Sequence, residues 1–287
     1  MAGVSFGGSR PVAVGMALAL VLGAGAQVVA QRGQAPGAPA AQTPATPRAR
    51  APIDLTGYWV SIVNEDWRWR MLTPSKGDVS SVPVNVEGKR ATEAWNYEQE
   101  QTPANACKPF GVGGLTRLPG RLSVTWQDDR TLKLEFDAGT QTRLLHFGTA
   151  PASPMPTWQG DSTAAWEFAG GIETDRNGIP VATPAGRGAR PRADAPKGGS
   201  LRVTTTNVRP GFLRKNGVPY SSTAKIEEYF DRVTYPNGDT ILLIRTVVDD
   251  PVYLQLPFVT STQFKLEKDG SKWHPTPCVI DPPVVRP

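Results

Sequence analysis

From Ile53 onward, apolar and polar residues alternate with a period of two over most of the chain. Leu122, Val124 and Trp126 alternate with Ser123, Thr125 and Gln127. After Asp128-Asp129, Leu132, Leu134 and Phe136 alternate with Lys133, Glu135 and Asp137. Side chains of a strand point to opposite faces in turn, so each such segment predicts a strand with one buried face. Asp128-Asp129 and Asp137-Ala138-Gly139 are turn chemistry, and the second leads into a strand over 140–147. Further strands are predicted at 54–63, 157–168, 200–208, 223–235, 240–249 and 258–267, with Pro236-Asn237-Gly238-Asp239 as a strong turn signal between two of them. Only 85–97 reads as helix. Asn85 is its N-cap and Val86, Arg90, Glu93, Ala94 and Tyr97 recur at helical spacing, although Gly88 weakens the segment.

Eight or nine strands in neighbour order with so little helix define an all-β class. The architecture expected is an antiparallel up-and-down barrel with one short helix, and a two-sheet β-sandwich is the alternative. An eight-stranded barrel is either filled by its own side chains or holds one small ligand.

The N-terminus adds a destination. Residues 1–30 combine a single charge, Arg10, with an apolar stretch at 12–22 and small residues that offer cleavage after Ala26 or Ala30. This is the pattern of a secretory signal peptide, and the apolar core is too short to span a bilayer. Residues 31–50 are rich in Ala, Pro, Gln and Thr and lack aromatics, as a disordered leader does. The remainder, 51–287, reads as one barrel domain with a flexible insert at about 172–199. The expected location is periplasmic or secreted, with no membrane span after cleavage.

Charge then narrows the partners. The chain carries 31 Lys+Arg against 26 Asp+Glu, a net charge of +5. Removing Arg10, the leader's three arginines, and the insert's five bases and three acids leaves 22 bases against 23 acids. The folded part is nearly neutral, so no nucleic-acid partner is expected, because a groove for nucleic acid needs bases gathered on a folded face. Cys107 and Cys278 are the two cysteines of an exported chain, and a disulfide between them would tie the tail back to the segment that enters the sheet. Neither Cys-x-x-Cys nor His-x3-His spacing occurs, so no metal site is expected, nor any cofactor.

A Gly-x-Trp at Gly57-Tyr58-Trp59 on the first strand, a meander of about eight strands and an exported chain together resemble the lipocalin/calycin superfamily. There the tryptophan plugs the closed end of the barrel, the role the resemblance implies for Trp59. Further segments resemble an uncharacterised group of secreted bacterial proteins. These are Pro156-Thr157-Trp158-Gln159-Gly160, Trp166-Glu167, Asn207-Val208-Arg209-Pro210-Gly211, Glu228-Tyr229-Phe230-Asp231-Arg232 and Asp249-Asp250-Pro251. That resemblance covers about 53–278 and transfers no activity.

Candidate chemistry follows from strand faces. Glu228, Phe230 and Arg232 share one face, and if it points inward a buried Glu–Arg pair lines the cavity; if outward, it is a solvated pair. Thr260 and Thr262 lie with Phe258 and Phe264 on the expected inner face, placing polar groups among aromatics. Trp67-Arg68-Trp69-Arg70, if extended, sets two indoles on one face and two guanidiniums on the other. His146 lies on the face of Thr142 and Leu144, a general-base candidate. The reading is a barrel that binds a small, partly apolar ligand in its cavity, lined by Trp67, Trp69, Phe230, Thr260 and Thr262. The alternative is a cofactor-free isomerase or lyase acting through Glu228 and Arg232, with His146 as a further candidate. Tyr220, after the basic Arg214-Lys215, falls in a loop expected at a barrel mouth.

Overall fold

The structure, a computed structural model, describes residues 45–168 and 198–284. The signal-peptide expectation, most of the leader and nearly all of the insert lie outside the described residues. Chain order is β1 (Gly57–Ile62), α1 (Trp67–Met71), α2 (Val86–Ala94), α3 (Tyr97–Glu100), β2 (Arg121–Asp128), β3 (Thr131–Phe136), β4 (Gln141–Phe147) and β5 (Asp161–Phe168). Then come β6 (Gly199–Thr206), β7 (Gly211–Arg214), β8 (Val218–Tyr220), β9 (Lys225–Thr234), β10 (Thr240–Asp249) and β11 (Phe258–Leu266).

Nine of these strands close into a barrel in the order β1-β11-β10-β9-β6-β5-β4-β3-β2. Closure is made by β1, which pairs antiparallel with both β11 and β2. That rules out the sandwich. One pair departs from the expected antiparallel meander: β4 and β5 run parallel, with Leu145 opposite Ser162. Residues 148–160 carry the chain back along the barrel before β5 begins. A parallel neighbour requires such a return, whereas a hairpin reverses direction.

Local chemistry accounts for the hairpins. Arg130 N donates to Asp128 Oδ1 at 2.7 Å, fixing the β2–β3 turn. At the β9–β10 turn, Gly238 adopts φ +88° and Tyr235 N donates to Asp239 O at 2.8 Å. Asn85 caps α2 as expected, accepting from Gly88 N at 2.9 Å. Gly88, unfavourable for helix in isolation, is explained by packing: a Cβ there would lie 2.3 Å from Tyr253 O.

The two ends of the barrel differ. At one, Trp59 is fully buried and its Nε1 donates to Leu55 O at 3.0 Å, so the strand-one tryptophan sits in the core at the covered end. Residues 45–50, expected in the disordered leader, instead pack against this end; Trp166 Nε1 donates to Pro47 O at 2.9 Å and Arg48 N to Asp129 O at 3.2 Å. The other end is roofed by α1, the 108–118 segment, the β7–β8 hairpin and 250–257. Cys107 and Cys278 form the expected disulfide, with Cα atoms 5.1 Å apart.

Inside the wall, Leu122, Leu134, Leu145, Leu201, Phe230 and Phe264 bury one another in a continuous apolar cluster. Each such side chain contributes about 1.5–3 kcal/mol when fully buried. A second cluster, with Val112, Val208, Leu213, Ile226 and Val248, lies under the roof. Among the described residues, no helix is long and apolar enough to cross a membrane.

Candidate functional site

Between the two apolar clusters runs a polar layer, one to three residues below the roofed rim. Alternation places Arg143 of β4, Ser162 of β5, Thr205 of β6, Glu228 of β9, Thr246 of β10 and Thr260 of β11 at buried positions. Glu228 and Arg143 have no exposed side-chain surface and join by two hydrogen bonds, Nη1 to Oε1 at 2.9 Å and Nη2 to Oε2 at 2.5 Å. Arg143 Nη2 also reaches Thr205 Oγ1 at 3.4 Å, and Thr205 shares a hydrogen bond with Ser162 at 2.7 Å. Thr246 stands opposite both Glu228 and Thr260 in the ladder. Thr262 Oγ1 donates to Ile244 O at 3.3 Å.

The inward pair is therefore Glu228–Arg143, and this corrects the expected Glu228–Arg232 pair. Arg232 is half-buried at the far end of β9, where its Nη1 donates to Asp54 O at 2.8 Å. His146 lies on the outer side of β4, its Nδ1 3.4 Å from Thr131 Oγ1, while 143, 145 and 147 point inward. The wall separates His146 from Glu228, so the three catalytic candidates do not meet. Trp67-Arg68-Trp69-Arg70 is not extended but forms α1, so its indoles do not share a strand face. Trp67 is 61 % exposed, whereas Trp69 is half-buried, its Nε1 3.3 Å from Asp78 Oδ2. Phe230, Thr260 and Thr262 do lie inside the wall.

Two features of the roof escaped the sequence reading. The first is a cleft of about 350 Å³ between α2–α3 and the β7–β8 hairpin, lined by Trp95, Phe212, Tyr220, Tyr253 and the Glu100–Lys108 pair. Glu100 and Lys108 join at 2.9 Å, and the Lys108 ammonium lies 5.2 Å from the Phe212 ring centre. Two donors on this lining, Trp95 Nε1 and the Tyr220 hydroxyl, are buried without a well-formed hydrogen bond. Burial pushes the Tyr220 phenol far up, with the Gly113 backbone N–H and, less, the Arg143 guanidinium pulling the other way. Gly217 shapes the cleft: it holds φ +81°, and a Cβ would sit 2.2 Å from the Trp95 ring.

The second feature is a basic cluster beneath α1. Arg70, Arg117, Arg214 and Lys215 are all buried. Arg117 Nη2 pairs with Asp66 at 3.0 Å, and Arg70 Nε donates to Arg117 O at 2.8 Å. Arg214 stacks on Trp69, 4.8 Å from the ring centre. Burial, and secondarily the charge of Arg117, lowers both Arg70 and Arg214 to about 10. Burial lowers Arg117 and Lys215 as well.

The class these observations define is a closed, disulfide-clamped β-barrel, an architecture compatible with a lipocalin-like fold, with an aromatic cleft at its roofed end. Compared with models of protein families, with curated proteins and with solved structures, the chain matches none.

Proposed function

We propose that this chain is an exported, lipocalin-like binding protein for a small, partly apolar ligand, and that the ligand sits in the roof cleft, not deep in the barrel. The observation that carries the reading is the lining of that cleft. Four aromatic side chains, Trp95, Phe212, Tyr220 and Tyr253, surround Trp95 Nε1, a buried donor without a partner among the described residues, beside a lysine–glutamate pair. Ligand sites are typically apolar walls with a few convergent polar groups and begin at about 300 Å³. Buried donors left unpaired cost free energy that an acceptor on a ligand would restore. The barrel interior supports the cleft as a scaffold, since its inward positions are taken by large side chains and the Arg143–Glu228 pair. Export is supported by the sequence of 1–30 and by the disulfide.

Native mass spectrometry of the protein isolated from its own compartment tests both halves. The expected result is an N-terminus beginning after Ala26 or Ala30 and a retained small mass that Trp95→Ala loses. Equal retention by Trp95→Ala would remove the cleft from the reading. An intact Met1 would remove export.

A further inference from the structure

We infer that the void enclosed by Arg70, Arg117, Arg214 and Lys215 is a halide site, built to hold one chloride-sized anion beneath α1.

The argument begins with charge. Four cations are buried together, at 1 %, 5 %, 3 % and 8 % exposure in that order. Buried charges persist where they are paired. Here the carboxylates fall short. Asp66 is committed to Arg117 at 3.0 Å. Lys215 has only the 3.9 Å approach of Asp281, whose side chain is 74 % exposed. Glu65 and Asp78 act on the cluster electrostatically, Glu65 on Arg70 and Arg117, Asp78 on Arg214.

Hydrogen-bond accounting points the same way. Arg70 places Nε on Arg117 O and Nη1 3.4 Å from Glu65 O, leaving Nη2 buried without a partner. Among the described residues, Arg214 leaves Nε, Nη1 and Nη2 all buried without hydrogen-bond partners. A guanidinium is a pure donor with no acceptor capacity, so neighbouring arginines cannot satisfy one another. Stacking on Trp69 fixes the plane of Arg214 but supplies no acceptor.

Size selects the guest. The void measures about 10 Å³ and is lined by Trp69, Arg70, Gly114, Arg117, Arg214 and Lys215. A space of that size admits a single monatomic guest and no polyatomic anion. Water could occupy it but accepts only two hydrogen bonds and neutralises nothing. A monatomic anion accepts from several donors at once and offsets the excess charge. Phosphate or sulfate would need room for four oxygens. The site is separate from the aromatic cleft, so the inference does not depend on the ligand reading.

The test uses the full chain exchanged into sodium gluconate, with sodium chloride or bromide replacing gluconate at constant ionic strength. Halide is expected to raise the melting temperature logarithmically, by about 3 °C for each tenfold rise above its dissociation constant. Arg214→Met should abolish the response, and Arg209→Met, which removes an exposed arginine, should keep it. Crystals grown in bromide should show one anomalous peak in the void, a readout that requires no variant. Equal melting in gluconate and halide, a response that survives Arg214→Met, or an empty void in bromide crystals would each overturn the inference. So would a response to acetate or phosphate without one to halide.

Discussion

Two groups of buried charge lie within one chain, and they solve the same electrostatic problem differently. In the barrel layer, Arg143 meets Glu228 through two hydrogen bonds, and both side chains are fully enclosed. In the basic cluster, among the described residues, four cations face Asp66, which pairs with Arg117, and four guanidinium nitrogens lack hydrogen-bond partners. The first group balances its charge within the protein, with Arg143 Nε alone of that pair lacking a hydrogen-bond partner among the described residues, and so ties facing strands together. The second is incomplete, and incompleteness in a buried site is what a ligand can correct.

The contrast can be broken most severely from the complete side. Arg143→Met should leave Glu228 buried without a counter-charge and destabilise the fold by about 3–5 kcal/mol, measured by urea unfolding. Adding Glu228→Met to that variant should restore most of the loss, because a buried pair replaced by apolar groups is often near neutral. A double variant as unstable as the single would show that the pair has a role beyond mutual neutralisation. Asp66→Asn comes next. It keeps a side chain that tolerates the left-handed backbone at φ 50° but removes the carboxylate charge facing Arg117. A loss of about 1–2 kcal/mol is expected, concentrated at low halide.

Smaller still is Arg214→Met in gluconate, where the expected change lies within about 1 kcal/mol of zero or is stabilising, since a cation without a full partner is lost. A loss as large as that of Arg143→Met would erase the distinction between the two groups. The mildest test is pH. Arg70 and Arg214 are lowered to about 10 in the fold. A cation lowered by folding carries its cost fully below the folded value, and that cost lapses as pH rises through about 10 toward the unfolded value. Halide stabilisation should therefore be constant near pH 8 and shrink above pH 10, followed as the difference in melting temperature with and without chloride.

How legible these features were in the sequence depended on distance along the chain. The nine barrel strands follow period-two alternation closely; 240–249 was expected and Thr240–Asp249 is found. The turns at Asp128-Asp129 and Asn237-Gly238 carry their own signals. The parallel β4–β5 pair has no local signature, because the return through 148–160 is irregular. Trp67–Met71 spans too few residues for a 3.6-residue period to be told from alternation. At the site, alternation puts Glu228, Phe230 and Arg232 on one face but leaves open whether it points inward, and a strand face names no partner. Arg232 is four residues away and Arg143 is 85 away, and closure of the barrel brings the distant one to Glu228. The basic cluster draws on α1, the 108–118 segment and β7. Only the dipeptide Arg214-Lys215 and the Trp-Arg repeat hinted at it.

The disulfide has a mechanical consequence. Cys107 precedes β2 and Cys278 follows β11, so the bridge gathers ten strands into one covalent ring of separation 171 and leaves β1 outside it. Among the described strands, β1 is the removable stave, held by its ladder hydrogen bonds and the buried Trp59 side chain with no covalent tie. A force applied between the two termini would strip β1 and then meet a covalent stop, with the rest of the wall out of the load path. Stretched molecules should thus release only the segment before Cys107 and the short tail after Cys278, and yield the remainder only when reduced.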